Sequence, residues 1–324
     1  MKPQKFQMIE QPPRGGIKEG ITFGYVDIPS VITEKDRPYL DQLTDASLDL
    51  QRKIRKGPSI PIPSEDGIFE SHGHPVKARA YFPEGEGPFP LVLYLHGGGF
   101  AIRNVDCFDF IARYIAKESG SVVLAIDYSL SPEHKFPVAA EECFDGYLWA
   151  RQHAKELRAD PKKIMAAGDS AGGNLSTVLC MMCRDRNIEP PIRQILAYPV
   201  VDMGSSIDRE SYHLYGEHYN LDYKHVVSYN CAYVQAEDDF LNPYVSPLYA
   251  DDLSGLPPCL LLSAECDILI DQGLEYAKRL QDAGVPVSYK IFRGVPHDFL
   301  FFGYPESYEA YDLICSFIKK AAMQ

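Results

Sequence analysis

One pentapeptide constrains this chain more than any other feature: Gly168-Asp169-Ser170-Ala171-Gly172, which follows the apolar run Ile164-Met165-Ala166-Ala167 without a break. The run predicts a strand over residues 163–168. Downstream, Ala171, Leu175, Val178, Leu179 and Met182 fall on one helical stripe, which predicts a helix over 171–184. A strand that turns straight into a helix through such a serine leaves its hydroxyl on a sharp turn at the strand's C-terminal end. The flanking glycines remove side chains that would collide with neighbouring elements. A chain of this composition would hold a Gly-x-Ser-x-Gly string by chance only about 0.1 times, and the strand before and helix after it add to that weight.

The rest of the chain repeats the same rhythm. Short, continuously apolar runs predict strands at 76–82, 89–95, 121–127, 193–198, 259–264 and 287–292. Strands buried on both faces read this way, and helical patterns between them imply an α/β fold with a mostly parallel central sheet and helices on both faces. Tyr311, Ile314, Cys315 and Ile318 form another helical stripe near the C-terminus. Two stretches fall outside the rhythm and read as additions. In residues 1–60, Leu40, Leu43, Leu50 and Ile54 keep helical spacing, and a Gly57-Pro58, Pro61, Pro63 connector stops that helix. Residues 203–240 carry six tyrosines, at 212, 215, 219, 223, 229 and 233. The catalytic sheet is therefore expected over 61–202 and 241–324.

A serine hydroxyl is a poor nucleophile at neutral pH and needs an imidazole to take its proton. The imidazole in turn needs a carboxylate to fix its tautomer and stabilise its charged form. In this arrangement the chain order is serine, acid, histidine. Of the histidines after Ser170, His213, His218 and His225 lie in the tyrosine-rich addition, which leaves His297 in the loop after the strand at 287–292. The acid belongs at the end of the strand at 259–264, where Glu265, Asp267 and Asp271 compete. Alternation puts 265 and 267 on the same side and does not choose between them. Asp267 lies further out in the loop and is favoured. The run His96-Gly97-Gly98-Gly99-Phe100 follows the strand at 89–95 and leaves backbone N–H groups free to approach a ligand. With the N–H of Ala171 they can face the oxyanion of a tetrahedral intermediate. A phosphate nest is the rival reading of such a run, but no Lys-Ser/Thr follows it and no G-x-G-x-x-G is present.

HGGGF (96–100), DYSLSPEHKFPVAAEECFDGYLW (127–149), GDSAGGN (168–174), SPLYADDLSGLPPCLLLSAECDIL (246–269) and VPHDF (295–299) together carry a likeness. Through them the chain resembles the hormone-sensitive-lipase-like esterases of the α/β-hydrolase superfamily, over roughly residues 65–320. The resemblance implies a triad of Ser170, Asp267 and His297, oxyanion donors at Gly98, Gly99 and Ala171, and a cap built from residues 1–60 and 203–240. It also implies that His96 and Glu133 hold loops rather than react. Two departures stand out: AECDIL where the family usually has an acid followed by Pro-Leu, and HDF where it usually has HGF. The implied chemistry is hydrolysis of short-chain neutral carboxylic esters through an acyl-enzyme, with no cofactor and no metal. Deacetylation of amides or sugar esters would use the same triad. A ligand-binding receptor on this fold, as in the plant gibberellin receptors, lacks the catalytic histidine, and His297 argues against it.

The net charge of −13 argues against nucleic acid or an anionic membrane as partner, since both would be repelled. The expected partner is a small uncharged ester, and a homodimer stays open. No apolar run reaches the roughly 18 residues needed to span a bilayer. The opening residues lack the apolar stretch of a signal peptide, so a cytoplasmic location is the expectation. Eight cysteines without paired spacing read as reduced thiols, and Cys180 and Cys183, inside an apolar helix, as core packing rather than a metal or redox pair. Most of the six tyrosines are expected to pack the cap, with at least one facing substrate.

Overall fold

The computed structural model describes residues 14–19, 21, 27–55, 60–204 and 208–323. Eight strands form one sheet: β1 (Ser64–Ser71), β2 (His74–Tyr81), β3 (Phe89–Leu95), β4 (Val122–Asp127), β5 (Ala159–Asp169), β6 (Gln194–Ala197), β7 (Cys259–Cys266) and β8 (Val287–Pro296). Their spatial order is β1-β2-β4-β3-β5-β6-β7-β8. From β4 to β8 every pairing is parallel, while β1 and β2 join antiparallel at one edge.

The central strands explain why the sequence showed runs rather than alternation. β3 sends Leu91, Leu93 and Leu95 to one face and Val92 and Tyr94 to the other, and both sets are buried. In chain order the helices are α1 (Arg37–Ile54), α2 (Asp109–Ser119), α3 (Val138–Gln152), α4 (Ala171–Asp185), α5 (Glu210–Tyr215), α6 (Tyr223–Tyr233), α7 (Ile270–Asp282), α8 (Phe299–Phe302) and α9 (Pro305–Ala322). α3, α4 and α7 bury their apolar stripes against the Leu91 face, and α2 and α9 against the Val92 face. All eight cysteines are free thiols, and Cys180 and Cys183 point from α4 into the core.

The two additions supply helices outside these layers. α1 carries Pro38 in its first turn, where a missing N–H costs nothing. Its Leu40 is fully buried with Ala101, Ile102 and Ala232, so that α1 and α6 meet over the segment after the glycine run. Burying a leucine in this way is worth about 1.5–3 kcal/mol. Gly57 and Pro58, expected to stop α1, lie outside the described residues.

β1 is the one strand that the apolar pattern does not predict. It lies at the sheet edge, and only Phe69 and Ser71 in it are buried, so it has no apolar run to read. Its hairpin to β2 turns at His72-Gly73, both with positive φ (47° and 80°), the twist that two-residue hairpins favour. β8 runs on past the expected end at 292 to Pro296, and its pairing with β7 shifts register between Ala264 and Cys266.

Candidate active site

Ser170 sits between β5 and α4 with φ 53° and ψ −116°, a strained conformation for a residue with a Cβ. Close packing makes the glycines around it obligatory. A Cβ on Gly172 would come within 1.9 Å of the Leu95 carbonyl oxygen, and one on Gly168 within 2.3 Å of the Gly172 oxygen. The Ser170 amide donates to Ala197 on β6 at 2.9 Å, and Asn174 ties α4 to the carbonyls of Val200 and Val245 at 2.7 and 2.9 Å.

His297 follows β8 and places Nε2 2.9 Å from Ser170 Oγ and Nδ1 2.7 Å from Asp267 Oδ2. A carboxylate only accepts, so Nδ1 carries the proton and Nε2 is free to accept the serine hydroxyl. The other oxygen of Asp267 accepts the Leu269 N–H at 2.8 Å, which fixes the carboxylate. All three side chains are buried. Burial pulls the proton affinity of His297 down, but the charge and hydrogen bond of Asp267, with help from Asp298, outweigh it and leave the pKa above 6.5. The ring also meets Tyr198 edge-on, with centroids 4.9 Å apart.

The competing acids have other partners. Glu265 accepts from the Gly294 amide at 2.7 Å, from Arg293 at 2.6 Å and from the Gly15 amide at 3.1 Å, and so ties the N-terminal segment to the end of β8 before His297. Asp271 accepts the Ser211 amide at 2.8 Å and pairs with Arg14. His213 and His218 are exposed, and His225 is bound to Asp222 at the start of α6.

Gly98 and Gly99 line the same pocket as Ser170 and His297, and Ala171 opens α4, where a first-turn N–H has no helical acceptor. Gly98 has φ 132° and Gly99 φ 59°. A Cβ on Gly98 would lie 2.1 Å from the Ile102 carbonyl oxygen, and one on Gly99 2.4 Å from the Tyr229 ring. Asp169 braces this loop: one oxygen accepts from Tyr94 at 2.7 Å and from the Gly97 amide at 3.2 Å. Burial first, and then the nearby charge of Asp298, push its pKa up to about 7. His96 stacks on Tyr128 at 4.3 Å and donates to the Gly97 carbonyl at 2.9 Å. Glu133 binds Arg37 of α1 at 2.6 Å.

The pocket is completed by Leu43 and Ser47 of α1 and by His225, Val226, Tyr229 and Asn230 of α6. Of the six tyrosines singled out in 203–240, only Tyr229 lines it. Tyr233 stacks on Phe100 at 3.9 Å, and Tyr215 packs on Tyr219 at 5.1 Å. Sequence reasoning expected at least one of these tyrosines to face substrate without saying which, and it missed Asp169 and the Arg103–Asp298 ion pair that lines the pocket, 2.8 Å long. The only trace of that pair was the Asp298 departure itself.

A serine, an imidazole and a carboxylate in hydrogen-bonded series at the C-terminal edge of such a sheet define a serine hydrolase of the α/β-hydrolase fold. Comparison with known proteins agrees. The sequence profile of the alpha/beta hydrolase fold family matches residues 92–301. An arylesterase of Saccharolobus solfataricus is 37% identical over 262 residues, covering 78% of this chain and 84% of that one. An ethyl acetate hydrolase of Pseudomonas putida is 36% identical over 244 residues, covering 74% and 76%. The solved esterase of Pyrobaculum calidifontis superposes with a TM-score of 0.86 at 35% identity, over 92% of this chain and 96% of that one. The chain belongs to the hormone-sensitive-lipase-like family of α/β-hydrolase esterases and is a carboxylic ester hydrolase.

Proposed function

We propose that this esterase cleaves short-chain neutral carboxylic esters through an acyl-enzyme on Ser170. The observation that carries the reading is the unbroken series Asp267, His297, Ser170, with contacts of 2.7 and 2.9 Å. As Ser170 Oγ bonds to the acyl carbon, its proton passes to His297 Nε2, and the carbonyl electron pair moves onto oxygen. The amides of Gly98, Gly99 and Ala171 receive that oxyanion. Collapse breaks the bond to the alkoxy group, which leaves as the alcohol with the proton from His297. Water then repeats both steps in reverse and frees the acid. Asp267 orients His297 and stabilises its charged form throughout.

Residues 1–60 and 203–240 form the cap in this reading, with α1 and α6 closing the pocket over the sheet edge. An apolar wall of Leu43, Leu221, Val226 and Tyr229 favours a small acyl or alkyl group and no net charge. The relative named as an ethyl acetate hydrolase supports a small substrate. The test is substitution of Ser170 and His297 by alanine in protein shown to be folded by its melting profile. Hydrolysis of short esters is to fall by about 10⁶ in either variant. Turnover within tenfold of the parent in either would remove the reading.

A further inference from the structure

Asp298 stands directly after His297 in the left-handed region, at φ 64°, and Arg103, four residues beyond the glycine run, is left-handed as well, at φ 70°. Each conformation is strained for a residue that carries a Cβ. The two side chains meet as an ion pair at 2.8 Å, with exposures of only 10% and 9%. A buried ion pair rarely adds net stability, because desolvation offsets the attraction. This one is also incompletely satisfied: Arg103 Nε and Nη1 and Asp298 Oδ1 have no hydrogen-bond partner among the described residues. Stability alone therefore does not account for it.

Position does. Asp298 Oδ1 lies 3.8 Å from His297 Nε2, the same nitrogen that holds Ser170 Oγ. Asp267 occupies the opposite ring nitrogen. The guanidinium of Arg103 is seated over the Phe301 ring at 4.2 Å, which fixes the far end of the pair. We propose that Arg103 and Asp298 are positioning residues that hold a second carboxylate beside Nε2 of His297, the nitrogen that takes the serine proton, and so set the pH at which this base works. The proposal rests on His297 being the base.

The groups facing His297 come from several elements. They are Asp267 after β7, Asp298 beside it, Arg103 beyond the glycine run, Asp169 and Ser170 at the elbow, Tyr198 after β6, and His225 and Tyr229 of α6. Burial keeps the two phenols neutral. Burial also disfavours the Asp298 charge, but Arg103 and His297 outweigh it, so Asp298 stays ionised. Its charge favours a proton on His297, and that of Arg103 opposes one. The signs follow: loss of the Asp298 charge lowers the proton affinity of His297, and loss of the Arg103 charge raises it.

The experiment is the pH dependence of kcat/KM for a short-chain ester in Asp298→Asn and Arg103→Met, followed by pH-stat. Asparagine tolerates the left-handed backbone and still offers Arg103 an acceptor. At the pH where the parent shows half its plateau, Asp298→Asn is to keep more than half and Arg103→Met less than half. The two are expected to differ about twofold there. Limbs that stay together, or move the same way while only the plateau falls, would overturn the proposal and leave the pair a structural brace. If a single variant does not fold, Arg103→Met/Asp298→Asn, which buries no charge, carries the test. Its acid limb is to lie below the parent's, and an unmoved limb overturns the proposal. A functional His297→Ala enzyme would instead remove the base reading itself.

Discussion

Three carboxylates at or just beyond the end of β7 compete in the sequence, because alternation repeats every two residues and Asp271 is one turn further on, and only position in the loop favours Asp267 there. What separates them is what each one touches, which only the folded chain decides. Asp267 holds His297, whereas Glu265 and Asp271 hold the N-terminal segment. Asp267→Asn is therefore expected to lower kcat by roughly a thousandfold or more, with the wrong tautomer left at His297. Glu265→Gln and Asp271→Asn are to lower the melting temperature while changing the rate far less, and equal rate losses at all three would refute the assignment. A double Ser170→Ala/His297→Ala variant should be little slower than either single one, since the two side chains act on one proton. The acid limb of the rate belongs here too. A histidine base works only when unprotonated, and the pKa of His297 is raised, so activity should begin to fail with a midpoint above 6.5 as pH drops. A titration of kcat/KM that stays flat to pH 4 would contradict an imidazole base.

Among elements, those that read well from sequence are buried ones. β3, β7 and β5 from Ile164 onward are buried on both faces, and α4 keeps a full stripe, so burial is written into most of their residue types. β1 is exposed on most of its length and pairs only with β2, and nothing local marks it. The Arg103–Asp298 pair joins residues far apart in the chain, which no periodicity links. The glycine loop was legible as a loop with free amides, but not the ring pressed against it. Tyr229 of α6 leaves no room for a Cβ on Gly99, whereas at Gly98 the obstacle is backbone. Gly98→Ala is thus expected to lower turnover about a hundredfold, roughly 2.7 kcal/mol in the barrier. Gly99→Ala should be partly rescued by Tyr229→Ala, because that obstacle is a removable side chain. Measured kcat in the single and double variants checks this, and absence of any rescue would place the damage in the loop backbone instead.

At the scale of the whole molecule, the α/β architecture and the chain order of Ser170, an acid after β7 and His297 could be read in advance because strand ends, turns and the order of such groups are coupled in this fold. The pocket could not, since its walls come from additions whose packing the sequence leaves open. Each methylene buried while room remains adds about 0.8 kcal/mol, and past the wall the gain becomes a steric cost. The kcat/KM for a series of acyl esters is accordingly expected to peak at about four to six carbons and collapse by about twelve. A best rate on long-chain triglyceride emulsions would show that α1 and α6 swing apart. Those two helices have a consequence of another kind. The groups proposed to make and break bonds stand at strand ends and their loops, while most of the pocket's outer wall is carried by α1 and α6, held together at Leu40 and Ala232. Chemistry and taste are thus stored in different stretches of the gene. Random variation confined to codons 37–54 and 223–233 is expected to exchange one preferred ester for another while Ser170, His297 and Asp267 are inherited unchanged.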